Sequence, residues 1–584
     1  MLSSNTLTVR LLENDESVYF NFYYKLNAND RLYTFKRSKE EALHFWFNRI
    51  RMKISEKIER KKKKKQQKLS EQNDSNEVEN INIYLKYNNT IVDENLTHSQ
   101  AWRDGLTFIV GESSYNVVVN APAVTTLKLP KIIMAGFKIY PTLAVEFCKI
   151  NECKFSWFRK RLPHEKLLKS PLDSENKEKS GFGGWFLVGN EYWYEPTKED
   201  IGRVIKLRCL PARGDLEGVE AVAESSGVVT EGPEFCPFER RHEFTQKITE
   251  RGTVRCVSYN ILADLYADSD YSRTVLFPYC PPEILDKNYR RNLLFKELTG
   301  YNGDVVCLQE VDRKLYNNEL KEIMDINGLD SVYSEKKFED DEKFCGEGLA
   351  CFYRRSKFKL LQASSMNLSE ELESNSIFME LKSQLKQNEN FYKRLMKRKT
   401  ILQYSLLQSL EDERKMLLVG NTHLYFAPDA DHIRLVQSTI MIKIMEHLLS
   451  IYKIKYSDLN ISPIIFGDFN SCPEFGVFKL ITTGKIESSC EDWKSNAEET
   501  LSDISVSHSL SLASACGTPK YTNYTTEFSG CLDYIFYDRL RLSVTENVPL
   551  PSDEEVKKYV ALPNKIFPSD HLPLICSLRW NEFG

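Results

Sequence analysis

Residues 464–475, IIFGDFNSCPEF, set Asp468 and Asn470 two positions apart where an apolar run ends. Side chains at i and i+2 of a strand share a face, so a carboxylate and an amide are expected side by side at a strand's carboxyl end. Gly, Asp, Asn and Pro also make turns, and this stretch alone divides evenly between a turn and a functional site. Other runs share the design. SYNIL carries Asn260, LQEVD Glu310, NTHLY His423, CLDYIFYD Asp533, and PSDHLPL Asp570 and His571. A lone His423 would read as a hydrogen-bonded core histidine. Six such runs together predict polar residues that converge, because α/β sheets gather their sites at strand ends. Oxygen ligands such as Glu310, Asp468 and Asn470 suit magnesium or manganese. Two histidines among carboxylates suit proton transfer and phosphate neutralisation. There is no GxSxG elbow, Walker loop or cysteine nucleophile motif, so metal-assisted hydrolysis of a phosphate ester is the chemistry these residues favour.

The elements that must position them start near Thr253. From there strand-like runs (VRCVSYNIL, VVCLQEV, GLACFYRR, MLLVGNTHL, PIIFGDFN, LDYIFYD, HLPLICSLRW) alternate with longer helical or loop segments, an α/β pattern over residues 250–584. Residues 366–400, rich in Glu, Lys, Ser and Leu, read as a helical surface insertion. Upstream, 81–240 is predicted to be a β-sandwich-like domain of short alternating strands. Cys153, Trp157 and Cys209 follow one another in the order of an immunoglobulin-type core, although the reducing compartment expected below argues against a disulfide. Residues 1–55 form an N-terminal β-containing segment. Residues 56–80, with lysines 61–65, read as a solvated linker, helical at its start.

The 584 residues have a net charge of −4, so any basic groove for nucleic acid must be local. Apolar content of 41% and charged content of 28% are ordinary for a globular chain. The 14 cysteines show no CxxC pair, which fits a reducing compartment, cytosol or mitochondrial matrix. No apolar run approaches the roughly 18 residues of a membrane span. The first residues meet Glu13, Asp15 and Glu16 too early for a clear transit peptide.

The ordered series SYNILAD, CLQEVD, EGLACFYRRSKF, NTHLYF, FGDFNS, YTNYT, GCLDYIF and SDHLPL resembles the endonuclease/exonuclease/phosphatase superfamily. Within it the chain is similar to the deadenylase branch, and to its 2′,5′-phosphodiesterases rather than to the members carrying leucine-rich repeats. The resemblance implies a four-layer α/β sandwich, two mixed sheets flanked by helices. It implies a 3′-to-5′ exoribonuclease acting on 2′,5′-linked oligoadenylates and 3′,5′-linked poly(A), with one or two Mg²⁺ ions, in the mitochondrial matrix. By position, Glu310 would hold the metal, with Asp468 and Asn470 beside it. Asp468 would orient or deprotonate the attacking water, and Asn470 would hold a phosphoryl oxygen or the metal. Asp533 would fix the tautomer of His571, and His571 would steady charge on the phosphorane. Asn260 would support metal ligands and phosphate, and His423 the phosphate. Pro428 would pack against an adenine and Phe528 stack on it. Glu347 would touch the substrate or support a residue that does, and Asp570 would be a distant metal ligand or a support for its turn. Two other readings stand beside this one: another phosphoesterase of the superfamily (a lipid or inositol phosphatase, or an abasic-site DNA nuclease) and a catalytically silent RNA-binding protein.

Overall fold

The computed structural model describes residues 5–26, 29–66, 81–162, 184–233, 235–336 and 346–582. The chain divides into two compact units. One comprises Met1–Leu129, Pro141–Tyr194 and Arg203–Ser226; the other comprises Pro130–Tyr140, Glu195–Gly202 and Gly227–Gly584.

The first unit is β-rich, but its boundaries differ from those expected. Strands Thr6–Leu11, Ser17–Leu26 and Asn29–Ser38 join Ile83–Tyr87, Thr90–Ile91, Leu106–Val110 and Ser113–Val119 in one seven-stranded sheet. A boundary at residue 81 therefore falls within a sheet. The helix Leu43–Gln66 closes one face, burying Trp46, Phe47, Ile50 and Ile54 against Phe20, Leu85 and Phe108. The lysine run continues this helix, because lysine propagates a helix well once an apolar face has anchored it; residues 67–80 of the expected linker lie outside the described residues. The cysteine–tryptophan–cysteine series does not take the immunoglobulin arrangement. Lys154–Lys160 and Ile205–Leu210 are neighbours in the same four-stranded sheet, with Phe155 opposite Cys209, so the two cysteines do not face each other across two sheets. Both are free thiols.

In the second unit the strands of the two large sheets are β1 (Thr253–Asn260), β2 (Val305–Asp312), β3 (Leu329–Glu335), β4 (Glu347–Arg354), β5 (Phe358–Asn367), β6 (Ile401–Ser409), β7 (Lys415–His423), β8 (Asn460–Asp468), β9 (Leu512–Ser514), β10 (Asp533–Asp538), β11 (Leu542–Asn547) and β12 (Leu574–Trp580). They form two six-stranded mixed sheets, ordered β3-β4-β2-β1-β12-β11 and β5-β6-β7-β8-β10-β9. In each, a parallel pair lies at the centre (β1 with β2, β7 with β8) with an antiparallel strand beside it. Val254, Cys256, Val305, Cys307 and Cys576 of the first sheet meet Leu417, Val419, Ile464, Phe466 and Ile535 of the second in a shared core. Helix α1 (Lys287–Gly300) covers the outer face of the first sheet, where its Glu297 accepts from Tyr259. Helix α2 (Asp431–Lys455) covers the second through Ile433, Val436, Ile440 and Ile444. The result is the expected four-layer α/β sandwich.

The insertion is helical as anticipated. Leu368–Ser374, Met379–Leu385 and Glu389–Met396 bury Leu372, Leu385, Phe391 and Leu395 in the same core as α2. Earlier segments also belong to this unit. Asn292 donates to the Ile132 carbonyl at 3.4 Å, Lys296 lies 4.6 Å from the Phe137 ring centre, and Tyr140 meets Phe295 edge-on. Arg241 donates to Tyr301 Oη at 3.1 Å and to the carbonyls of Pro549 (3.0 Å) and Pro573 (2.8 Å). The catalytic unit therefore extends beyond residues 250–584.

Candidate active site

Strand alternation carries the shared core directly into the site. Val254 and Cys256 lead to Asn260, Cys351 to Glu347, Leu417 and Val419 to His423, Phe466 to Asp468, and Ile535 back to Asp533. Each polar residue follows its core neighbours at even spacing, so all five face into the gap between the sheets.

Asp468, 1% exposed, is the meeting point. Its Oδ2 accepts from Asn260 Nδ2 at 3.0 Å and lies 3.6 Å from Nε2 of both His423 and His571. Asn260 Nδ2 also reaches Glu310 Oε1 at 3.0 Å, so one amide ties the two carboxylates together. His571 Nδ1 lies 2.8 Å from Asp533 Oδ2. Thr522 Oγ1 accepts from the Leu532 and Asp533 amides, and Ser569 Oγ donates to the Asn260 carbonyl while accepting from the His571 amide. Burial, with the Asp533 charge behind it, pushes the Asp468 carboxyl up to about 6. Burial opposes a charge on His571, but Asp533, Asp468 and Asp570 overcome it and hold the ring well above its ordinary value. Burial, with Lys336 and His571 nearby, drives His423 well below its own.

Glu310 reaches the site by a different route. Cys307 and Gln309 face the other sheet, so plain alternation would turn Glu310 away from it. A bulge against β4 between Leu308 and Val311, with Glu310 at φ +56°, redirects the carboxyl. Its Oε2 then accepts from the Ala263 amide at 2.9 Å. Burial and the charges of Glu347 and Asp570 raise it to about 8.

Asn470 corrects the opening expectation. β8 ends at Asp468, and Asn470 lies in a turn at φ +48°, donating its backbone N–H to Asp468 Oδ1 at 2.9 Å. Its side-chain amide donates to the Leu424 carbonyl at 3.0 Å. Asn470 therefore anchors the loop that follows β7 instead of standing beside Asp468 on a strand. Pro428 is exposed in that loop. Phe528, 44% exposed, lies in the hairpin of Asn523–Tyr524 and Ser529–Gly530. The hairpin is pinned to the catalytic strand end, because Asn523 Nδ2 donates to Asp570 Oδ2 and its carbonyl at 3.2 Å and Leu572 N donates to the Thr522 carbonyl at 2.7 Å.

Glu347, 2% exposed, accepts from Tyr266 Oη at 3.4 Å and from Lys336 Nζ at 2.6 Å. Neither Lys336 nor Tyr266 stands out in the sequence. Lys336 sits in the charged run SEKKFEDDEK, which reads as surface. Its one signal is that it continues β3 directly opposite Glu347, with its amide donating to the Glu347 carbonyl at 3.0 Å.

Asp468, Asp533 and His571 each offer a ligand atom within 4.8 Å of the others. Asp533 and His571 are already engaged with each other, however, which leaves the carboxylate oxygens of Asp468 and Glu310, joined through Asn260. Such a set fits a hard divalent cation, which a pair of carboxylates bridged by one amide would hold from one side.

Profiles of two known families match the chain. A 2′,5′-phosphodiesterase 12-like N-terminal domain matches residues 121–230, and the endonuclease/exonuclease/phosphatase family matches residues 436–571. Human 2′,5′-phosphodiesterase 12 is 41% identical over 500 residues, covering 85% of this chain and 80% of that protein. The 3′-5′-exoribonuclease subunit Ccr4 of the CCR4-Not complex of Schizosaccharomyces pombe is 29% identical over 346 residues, covering 55% of this chain and 48% of that protein. Among solved structures, ANGEL2, described as a 2′,3′-cyclic phosphatase, aligns at 21% identity with a TM-score of 0.46, over 57% of this chain and 97% of that one. The extent and identity of the match to the human protein, over both the β-rich and the catalytic parts, place this chain in the 2′,5′-phosphodiesterase 12 family of the endonuclease/exonuclease/phosphatase superfamily.

Proposed function

We propose that the chain is a magnesium-dependent 3′-to-5′ exoribonuclease that releases AMP from 2′,5′-linked oligoadenylates and 3′,5′-linked poly(A). The observation that carries it is the convergence of Asn260, His423 and His571 on one oxygen of Asp468. An in-line attack needs an aligned water and a neutralised phosphate at one rigid point, and three strand ends with the segment leading into β12 supply it. Asp468 orients the water and takes its proton as the new P–O bond forms. His571, kept cationic by Asp533, faces the non-bridging oxygens as their charge grows. His423 Nε2 offers a second contact to the same phosphate. The bond to the 2′ or 3′ oxygen of the preceding ribose then breaks, that oxygen takes a proton from solvent to become a hydroxyl, and the phosphate leaves on the 5′ position of AMP. A magnesium ion held by Glu310, with Asp468 and Asn260 beside it, would neutralise phosphoryl charge. Pro428 and Phe528, exposed on loops anchored to Asn470 and Asp570, supply apolar faces for an adenine. We also propose placement in the mitochondrial matrix, the compartment that the sequence resemblance implies, which fractionation of cells expressing the tagged chain tests.

A 2′,5′-linked adenylate trimer and a 3′,5′-linked oligo(A) are incubated with the chain and magnesium. AMP release from both, abolished by EDTA and by Asp468→Ala, is the expected result. Release from neither overturns the adenylate assignment.

A further inference from the structure

Two histidines approach Asp468 Oδ2 through Nε2 at the same 3.6 Å, yet their other nitrogens meet opposite partners. Behind His571 stands a carboxylate, Asp533 Oδ2, 2.8 Å from Nδ1. Behind His423 stands an ammonium, Lys336 Nζ, 3.4 Å from Nδ1. An ammonium has no lone pair and only donates, so the His423 nitrogen that faces it must accept. Lys336 is itself well held. Its side chain is 13% exposed, its Nζ lies 2.6 Å from Glu347 Oε1, and its backbone pairs with that of Glu347 across β4.

We infer that Lys336 is a positioning residue of the active site, which by donating to Nδ1 of His423 confines that ring's proton to Nε2, the nitrogen facing Asp468 and the phosphate. Glu347 then serves chiefly to hold Lys336 in place. The two histidines divide the work: His571 supplies a cation and His423 a neutral, directed N–H donor. Two imidazolium rings on one carboxylate oxygen would repel each other, and the opposed partners remove that conflict. The inference deepens the proposed function by naming a further residue that prepares the phosphate contact.

Lys336→Met is expected to lower kcat about 10–100-fold with little change in KM, the range seen when a partner that orients a functional histidine is lost. Lys336→Arg, which still donates, should recover most of that loss. The decisive readout is coupling: in a His423→Asn background, Lys336→Met should cost nothing further. In the full chain labelled at histidine nitrogens, His423 should show the Nε2–H tautomer, and Lys336→Met should mix the two tautomers. Thermal melting of each variant separates loss of folding from loss of positioning. A full additional loss in the His423→Asn background, or an unchanged His423 signal in Lys336→Met, overturns the inference. The nitrogen signal needs no substrate, so it decides the role of Lys336 even if the adenylates prove to be the wrong substrates.

Discussion

At the residue scale, the Asp533–His571 pair makes the clearest prediction. Asp533→Asn keeps the shape but removes the charge that most favours imidazolium at position 571. The expected loss in kcat is on the order of 10²–10⁴-fold. In the proposed mechanism His571, held above its ordinary value, acts as a cation, so wild-type activity should fall as pH rises through that raised value. In Asp533→Asn this alkaline fall should move to lower pH, read from a profile of kcat/KM against pH. Much of the site was legible in sequence because Asn260, His423, Asp468 and Asp533 continue the inward face of an apolar strand at even spacing. Glu310 shows why the rest was not. Its residue type was informative but its direction was not, since a bulge and a left-handed backbone reversed the alternation. At Asn470 the turn chemistry of an aspartate and asparagine prevailed over strand continuation. Lys336 was hidden because a lysine in a charged run looks the same whether its head reaches water or a buried carboxylate.

At the scale of elements, a ladder of amides stitches the two sheets together immediately below the site. Gln309 Nε2 donates to Asn421 Oδ1 at 2.8 Å, Asn421 Nδ2 to Gln403 Oε1 at 3.3 Å, and Gln403 Nε2 to Ser334 Oγ at 3.0 Å. Gln309 precedes Glu310, and Asn421 lies two residues before His423, so the ladder sets the spacing of the strands that carry both. Asn421→Leu should destabilise the fold by about 1–3 kcal/mol for each group left unpaired, measured by urea unfolding. On the outer face of the first sheet, burial raises Glu297 of α1 to about 7 and lowers His242, which bonds its carbonyl, to about 4. The two act in opposite directions. Glu297 holds its proton more tightly when folded, so its contribution to stability is lost as pH rises from about 4.5 to about 7. His242 is held neutral, so its contribution is lost as pH falls from about 6.5 to about 4. Glu297→Gln should therefore unmask the histidine, giving a melting temperature that climbs with pH from about 4 to about 6.5.

At the scale of the whole molecule, the chain is a phosphodiester hydrolase whose catalytic unit draws on three stretches of sequence. The expected boundary at 250 rested on a change of texture, from short strands to an α/β rhythm. Texture cannot show that Pro130–Tyr140 and Glu195–Gly202 leave the β-rich part to join the catalytic one. Arg241 lies before that boundary and donates to a tyrosine and two carbonyls inside the catalytic sandwich. Arg241→Met in the full chain should lower stability by several kcal/mol, since hydrogen bonds from a charged group contribute about 1.5–3 kcal/mol each. The loss would appear in chemical unfolding while the kinetics of the folded fraction stay near wild type. This threading also has a consequence for inheritance. A gene rearrangement that detached the β-rich half as a cassette would carry away pieces of the enzyme's own scaffold, and one that duplicated the catalytic half would copy it incomplete. Lineages that exchange flanking domains freely need a clean seam between them, and here the seam crosses the chain five times. The two halves of this protein are therefore expected to descend together.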